Sequence, residues 1–140
     1  MKIIQYLEQS DREFIRKKVI EHNMEQIPDR LKTSVKTVGF ILKDEQQETV
    51  GGITGTMFWR HLHIDFLWVD KTIRGKGYGS KLLNKMEHFA RENKCRFIDL
   101  DTFSFQAPEF YKKHGFQVFG MLEDHPEGFN HYFLQKRYSK

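Results

Sequence analysis

The feature that most limits the possible folds is a change of hydrophobic pattern half-way along the chain. Residues 35–43, 48–59 and 62–69 have the character of strands, and the connections between them are as short as hairpin turns. Residues 77–92 then carry apolar side chains at helical spacing, and residues 95–102 return to a strand pattern. Hairpins join antiparallel strands, whereas a helical crossover usually joins parallel ones. We therefore expect a mixed α/β sheet with helices on its faces.

Weaker patterns complete the expected order of elements. A capping-box spacing that begins at Ser10 predicts a first helix, and a short second helix is expected over residues 24–32. A further short helix is predicted over residues 106–114, because His114-Gly115 is a common helix end. Two closing strands are predicted over residues 116–123 and 129–137.

Length and composition limit the class of protein. A chain of 140 residues is expected to form one domain over residues 1–140. The single cysteine, Cys95, excludes an internal disulfide and zinc sites built on paired cysteines. No apolar stretch approaches the roughly 20 residues that cross a bilayer, and the N-terminus lacks the apolar run of a signal peptide. We expect a cytoplasmic protein with no membrane partner.

The charge of the chain indicates an anionic ligand. The net charge is +4 and the isoelectric point is near 9.1. Arg74, Lys76, Lys81 and Lys85 surround one glycine-rich turn, which favours a local anion site over a diffuse basic face. Binding to nucleic acid is the rival interpretation, but the sequence has neither an RNP-like aromatic strand nor the spacing of a helix-turn-helix motif. No nucleic-acid partner is therefore expected.

The glycine-rich turn has the chemistry of a phosphate site. It joins a strand to a helix, and a helix start offers free N–H groups and a positive dipole end. Gly75, Gly77 and Gly79 allow close approach of the backbone, and Arg74 adds a charge that can bind phosphate at two oxygens. No Walker pattern is present, but Gly75-x-Gly77-x-x-Ser80, with Asp99 and Asp101 roughly 20 residues further on, nearly matches the dinucleotide fingerprint. The glycines alone leave three alternatives open: a phosphate site, an NAD-type site and a solvated helix start.

Two motifs in the chain resemble those of the GNAT (Gcn5-related N-acetyltransferase) superfamily. Arg74-x-x-Gly77-x-Gly79 matches the family pattern Q/R-x-x-G-x-G/A, and residues 107–116 resemble A-x-x-F/L-Y-x-K-x-G-F. The resemblance extends over residues 62–120 and agrees with the whole order of elements. It implies the GNAT fold, a mixed central sheet of about six to seven strands with about four helices, splayed at a cleft for coenzyme A between residues 62–69 and 95–102.

The resemblance also implies an activity. It predicts an N-acetyltransferase that moves the acetyl group of acetyl-CoA to a primary amine by direct attack, without a metal ion. A small-molecule amine is favoured over a protein lysine, and a homodimer is a further expectation. The alternative is a GNAT-like module that binds acyl-CoA without turnover.

The resemblance carries over a set of cofactor-binding residues. The backbone of residues 67–69 would pair with the pantetheine arm, and the amides of residues 74–80 would bind the diphosphate. Ser104 stands where the family often has asparagine, so its contact depends on a shorter side chain. The full expected set is Leu67, Trp68, Val69, Arg74, Gly75, Lys76, Gly77, Tyr78, Gly79, Ser80, Ser104, Ala107 and Phe110.

Three residues are expected to carry the chemistry. Tyr111 matches the family tyrosine that faces the cofactor sulfur, and a phenol can return a proton to the leaving thiolate. His63 and Asp65 match the two family positions of the base. Period two puts both on one face of their strand, together with Leu67 and Val69, so they could act as a pair with Asp65 orienting the imidazole. Roles for His63 and Asp65 as pocket edge and cation ligand stay open. His61 is expected in a surface turn.

The acceptor is the least determined part of the site. Acidic side chains at Asp65, Glu123, Asp124 and Glu127 would suit a cationic amine, provided that the fold brings them together.

Overall fold

The computed structural model describes residues 1–138, which form two compact units, residues 1–33 and the chain from residue 34 onward. The first unit contains helix α1 (Gln9–Gln26) and a single 3-10 turn, Asp29–Leu31. Helix α1 begins one residue before the predicted start. The predicted second helix over 24–32 is reduced to the 3-10 turn, because α1 continues through its first residues.

The capping box of α1 uses other residues than predicted. The Glu8 N–H donates to the Asp11 carboxylate at 3.0 Å, and the Glu8 side chain accepts from the N–H three residues further on. The prediction had assigned this exchange to Ser10 and Glu13. Both pairs have the same spacing. The sequence favours Ser10 because serine is a common N-cap residue, whereas glutamate at residue 8 is an unusual one.

The second unit is a six-stranded mixed sheet with helices. Its strands occur in the spatial order β1-β2-β3-β4-β6-β5, and only β3 and β4 are parallel neighbours. The mixed α/β sheet predicted from the sequence is therefore confirmed. The elements are β1 (Lys36–Lys43), β2 (Thr49–Phe58), β3 (His61–Val69), a 3-10 turn (Lys71–Ile73), α2 (Tyr78–Glu92), β4 (Phe97–Phe103), α3 (Pro108–Lys113), β5 (Gln117–Leu122) and β6 (His131–Arg137).

The core lies between helix α2 and one face of the sheet. The apolar side of α2 is buried against the alternating inward residues of the central strands, as its helical spacing predicts. Burial of each large apolar side chain contributes about 1.5–3 kcal/mol. Within residues 1–138, no helix combines the length and the apolar character needed to cross a membrane. The buried apolar residues are Ile53, Leu62, Ile64, Leu82, Leu83, Met86, Ala90, Cys95, Ile98, Leu100, Tyr111, Phe116 and Leu134.

Strands β3 and β4 pair over only a short distance. Their register is His61 with Phe97, Leu62 with Ile98 and His63 with Asp99, and the ladder stops there. The rest of β3 has no ladder to β4, so its backbone groups on that side have no partner in β4. The splay that the family resemblance implied is therefore confirmed.

A β-bulge lies where the two strands begin to diverge. In the antiparallel ladder with β2, Phe66 pairs with Thr54 and Ile64 pairs with Gly55, so Asp65 is an extra residue in β3. A bulge bends the strand that carries it and changes the direction of the following side chains. The bend in β3 therefore contributes to the opening between β3 and β4.

The bulge corrects the prediction of which residues share a face. Strict alternation had put Leu67 on the same face as His63. The structure instead packs Leu67 on the core, on the side of Leu62 and Ile64, and leaves Trp68 47% exposed. The prediction was wrong beyond the bulge, because one inserted residue reverses the alternation of a strand.

A buried ion pair fastens the last strand to α2. Glu87 on α2 is only 8% exposed, and its Oε1 accepts from Lys136 Nζ at 2.6 Å and from the Tyr138 hydroxyl at 2.8 Å. Lys136 Nζ also donates to the carbonyl oxygen of His114 at 2.7 Å. These contacts join α2, α3 and β6 around one carboxylate.

We expect Lys136→Met to destabilise the protein by about 3 kcal/mol, because it leaves the Glu87 carboxylate buried without its cation. This loss of stability is at the low end of the range for buried ion pairs, since the Lys136 side chain is still 24% exposed. Urea unfolding followed by circular dichroism measures it. Lys112→Met is the matched control, because its pair with Glu109 is exposed and should contribute less than about 1 kcal/mol. Equal unfolding free energies for the two variants would contradict this account.

Candidate active site

A cleft of about 830 Å³ opens between the diverging ends of β3 and β4. Its volume is in the range of small-molecule and cofactor sites. The wall is built by the second half of β3, the glycine turn (residues 74–79), the end of β4 and helix α3. Its lining residues are Ile64, Asp65, Phe66, Leu67, Trp68, Val69, Ile73, Arg74, Gly75, Gly77, Tyr78, Gly79, Ser80, Leu100, Asp101, Thr102, Phe105, Gln106, Ala107, Phe110 and Tyr111.

The glycine turn has the backbone geometry of an anion site. Gly75 and Gly77 have φ angles of +81° and +84°, which L side chains rarely adopt, so glycine is required there by conformation. Gly77 is the N-cap of α2, and the Lys81 N–H donates the first helical bond back to its carbonyl at 3.1 Å. The preceding amides therefore have no partner within the helix.

Arg74 is held at the base of the glycine turn. Its Nε donates to the carbonyl oxygen of Val69 at 2.9 Å, at the end of β3. This bond fixes the guanidinium while the two terminal nitrogens stay available for a bidentate contact with an anion. The turn thus joins fixed positive charge to free main-chain donors along one side of the cleft.

Most of the predicted cofactor residues line the cleft, but Lys76 and Ser104 do not. The Ser104 hydroxyl accepts from the N–H of Asn130 at 3.0 Å, so it ties the end of β4 to the start of β6. Gln106 lines the cleft and was not predicted. Its Oε1 accepts from the N–H of Phe103 at 2.7 Å and from the Thr102 hydroxyl at 3.0 Å. No feature of the motif spacing marks Gln106, because its place depends on how the chain turns after β4.

Tyr111 lies in the wall of the cleft at the level of α3. It is 9% exposed, and its ring packs edge-on against Phe110 and Phe116. Burial raises the pKa of the Tyr111 hydroxyl to about 12. The phenol therefore keeps its proton through the neutral range, as a proton donor must.

A row of histidines and aspartates crosses the sheet beside the cleft. We call it the His–Asp row: His61 and His63 on β3, Asp99 and Asp101 on β4, and His131 on β6. Asp99 Oδ1 lies 2.6 Å from His61 Nε2 and 3.0 Å from His63 Nδ1. Asp101 Oδ2 lies 2.7 Å from His131 Nε2, and its Oδ1 lies 3.8 Å from His63 Nε2.

The row follows from the register of the strands. His63 lies directly opposite Asp99 in the parallel ladder, and alternate residues of each strand share a face. The sequence pattern does not reveal this cluster. It predicts a surface turn for His61 and offers Asp99 and Asp101 only as the acidic partner of a dinucleotide site. The alternation of side chains around residue 99 can be read from the sequence, but the register of β3 with β4 cannot.

Hydrogen bonds within the His–Asp row shift the pKa values of Asp99 and His63. Burial would raise the pKa of Asp99, but hydrogen bonds from His61 and His63 hold it well below its ordinary range. The pKa of His63 is raised, mainly by its hydrogen bond to Asp99 and against the effect of burial. The charges of Asp65 and Asp101 raise it further. His63 is therefore a stronger base than a free imidazole.

The same atoms could be considered as a metal site, since His61, His63 and Asp99 each offer one donor within 4.8 Å of the others. Two ligands of a tetrahedral zinc ion stay about 3.3 Å apart. The observed 2.6 Å between His61 Nε2 and Asp99 Oδ1 is instead a hydrogen-bond distance. The arrangement fits a hydrogen-bonded network.

Asp65 takes a different partner from the one expected. Its Oδ2 accepts from the Thr56 hydroxyl at 2.8 Å, and the residue lines the cleft. The carboxylate within hydrogen-bond distance of the His63 ring is that of Asp99. The carboxylate beside the His63 ring is thus that of a residue on the neighbouring strand.

Comparisons with known proteins agree with the fold and the motifs. The acetyltransferase (GNAT) family model matches residues 4–116. Over 93 residues the chain is 40% identical to blasticidin-S acetyltransferase of Streptomyces morookaense, covering 66% of this chain and 68% of that protein. An acetyltransferase from Bacillus cereus has a TM-score of 0.94 at 49% identity, with 97% of both chains covered.

A more distant structure shares the fold. An aminoglycoside 6'-N-acetyltransferase complexed with coenzyme A has a TM-score of 0.65 at 17% identity, covering 85% of this chain and 77% of that one. The family match covers most of the chain, and the cleft and both motifs lie in the expected elements. The chain is therefore an acetyltransferase that belongs to the GNAT family.

Proposed function

We propose that the protein transfers the acetyl group of acetyl-CoA to a primary amine of a small cationic molecule. The observation that carries this proposal is the composition of the cleft: the glycine turn lies along it, Tyr111 forms part of its wall, and Asp65 and Asp101 line it as well. This arrangement fits a cofactor that carries phosphate groups at one end and a thioester at the other.

The free backbone edge of β3 supports the proposed position of acetyl-CoA. The pantetheine arm would pair with the main chain of residues 67–69, where β3 has no ladder to β4. The diphosphate would bind the amides of the glycine turn and the guanidinium of Arg74. Ser80, also in the wall, has its Oγ 3.0 Å from His114 Nε2, so its side chain is held in place. We assign Ser104 no contact with the cofactor, because it does not line the cleft and its hydroxyl accepts from the Asn130 N–H.

The proposed reaction is a direct attack of the neutral amine on the thioester carbonyl. A carbon–nitrogen bond forms and the carbon–sulfur bond breaks. The amine loses one proton to a base, for which the sequence offered His63 and Asp65. The leaving thiolate takes one proton from the Tyr111 hydroxyl, so that the products are the acetamide and free coenzyme A.

The acid residues of the cleft support a cationic acceptor. Asp65 and Asp101 both line the wall near the point where β3 and β4 diverge. A second positive charge on the acceptor would be stabilised there, as in polyamines or basic antibiotics. Two relatives are named for the acceptors blasticidin S and spermine, and we take these as candidate acceptors for this chain. Asp124 serves the turn instead, because its Oδ1 accepts from the Gly128 N–H at 2.6 Å.

A thiol-release assay tests the proposal. The wild-type protein is given acetyl-CoA and a panel of acceptors that includes blasticidin S, spermine, an aminoglycoside and a lysine peptide. Release of coenzyme A with at least one small cationic amine is the expected result. Tight binding of acetyl-CoA with no turnover of any acceptor would instead favour the acyl-CoA-binding module. The Tyr111 phenol in the cleft wall favours an enzyme with turnover over a module that only binds acyl-CoA.

We expect Asp65→Asn to raise the KM for a dibasic acceptor roughly tenfold, because one charge-assisted contact contributes about 1.5–3 kcal/mol. The KM for acetyl-CoA should stay unchanged, and so should the KM for a monobasic amine such as benzylamine. Asparagine can still accept from the Thr56 hydroxyl, so the local structure is kept. Glu45→Gln, on the exposed turn between β1 and β2, is the charge-matched control. Equal KM values for Asp65→Asn and wild type would remove Asp65 from the acceptor site.

A cytoplasmic location and a homodimer stay predictions from the sequence and the family resemblance. Light scattering after size-exclusion chromatography measures the oligomeric state.

A further inference from the structure

We propose that His63 is the base that takes the proton of the attacking amine, and that Asp99 is the positioning residue that keeps its Nε2 free for this purpose. The inference rests on the proposed function, and it chooses between the two bases that the sequence left open. It is carried by the hydrogen bonds of the His–Asp row.

The tautomer of His63 follows from its partner. An ionised carboxylate can only accept hydrogen bonds. Asp99 Oδ1 lies 3.0 Å from His63 Nδ1 and 2.6 Å from His61 Nε2, so both nitrogens must carry hydrogen. A neutral His63 therefore has its lone pair on Nε2. That nitrogen lies 3.8 Å from Oδ1 of Asp101, which lines the cleft, whereas His63 itself is not one of the lining residues.

The other two histidines of the row are less suited to take a proton from a substrate. The His61 side chain is 14% exposed, and its ring lies between those of Phe58 and Phe97. His131 uses Nε2 for Asp101, and its Nδ1 is a buried atom without a hydrogen-bond partner among the described residues. A second proton on His131 would bury an N–H group without an acceptor, which is costly. The His63 side chain, by contrast, is 32% exposed.

The surroundings of His63 favour uptake of a proton. Asp65 lies on its own strand, Asp99 and Asp101 lie on β4, and their charges all raise the pKa of the imidazole. His61 contacts the Asp99 carboxylate, and His131 contacts the Asp101 carboxylate. On β2 the residue opposite His63 is the uncharged Thr56. A neutral amine held near Asp101 would thus meet an imidazole nitrogen that can accept the proton lost when it attacks.

The test combines NMR with the pH dependence of kcat. In the wild-type protein the His63 imidazole, followed by nitrogen-15 NMR, should have a pKa above the ordinary value of histidine. Asp99→Asn should lower the His63 pKa towards that ordinary value. With saturating substrates, the acidic limb of the kcat profile should move to lower pH in Asp99→Asn, while the plateau falls at least about tenfold. His63→Gln should lower kcat by about 100-fold or more.

Two outcomes would overturn the inference. One is an unchanged His63 titration in Asp99→Asn; the other is a kcat for His63→Gln that equals the value for the control His88→Gln. The NMR arm needs no turnover, so it tests the role of Asp99 even if every acceptor fails. A shifted His63 titration together with an inactive wild-type protein would contradict the proposed function and leave the coupling between His63 and Asp99 intact.

Discussion

Tyr111→Phe is expected to lower kcat by about 100-fold or more while leaving the KM for acetyl-CoA close to the wild-type value. Proton transfer by a positioned side chain contributes typically about 10²–10⁴-fold to a rate. The variant removes only the hydroxyl, so the ring contacts with Phe110 and Phe116 stay and the fold is preserved. Stopped-flow release of free thiol under saturating substrates measures the effect.

The control for this variant is Tyr132→Phe. Tyr132 is a half-buried tyrosine of β6 that does not line the cleft. It should keep its activity to within a factor of about two. Because burial holds the pKa of the Tyr111 hydroxyl near 12, deprotonation of Tyr111 should cause no loss of rate up to pH 10 in the wild-type protein. Equal kcat values for Tyr111→Phe and Tyr132→Phe would exclude Tyr111 as the acid.

Arg74→Ala is expected to weaken binding of acetyl-CoA by about 10- to 100-fold. The guanidinium, oriented by its bond to the Val69 carbonyl, would otherwise make charge-assisted hydrogen bonds to the diphosphate, each contributing about 1.5–3 kcal/mol. Isothermal titration calorimetry with coenzyme A measures the loss directly. Lys71→Ala removes the same charge from the neighbouring 3-10 turn and outside the cleft lining, and should change the affinity by less than about threefold.

A truncated cofactor sharpens the test of Arg74. S-acetylpantetheine has the thioester and the pantetheine arm but no diphosphate. Its affinity should be the same for Arg74→Ala and for the wild-type protein, since the contact that is lost is specific to phosphate. An equal loss for both compounds would mean that Arg74 supports the end of β3 rather than the phosphates.

The sequence predicted the fold well because its strongest signals are local. The helical spacing of Leu82, Leu83 and Met86 marks α2, and the crossover from β3 to β4 sets the parallel pair. The glycines at 75 and 77 mark the turn before α2, and both have positive φ angles in the structure. Each of these features depends on residues that are close in sequence.

The parts of the site that escaped prediction depend on residues distant in sequence. The bulge at Asp65 inserts one residue into a regular alternation and reverses the faces beyond it, and only the ladder with β2 reveals it. Asp99 and His131 join the row through the register of β4 with β3 and β6. The alternation within β3 suggested an Asp65–His63 pair, whereas the structure brings His63 to a carboxylate 36 residues away.

The central claim is that main-chain donors of the glycine turn bind the diphosphate of acetyl-CoA and direct its thioester to Tyr111. A crystal structure with coenzyme A tests it most directly. The predicted result is a diphosphate within hydrogen-bond distance of the amides of residues 75–80, with the sulfur beside the Tyr111 hydroxyl. A diphosphate bound elsewhere, or a sulfur pointing away from Tyr111, would contradict it.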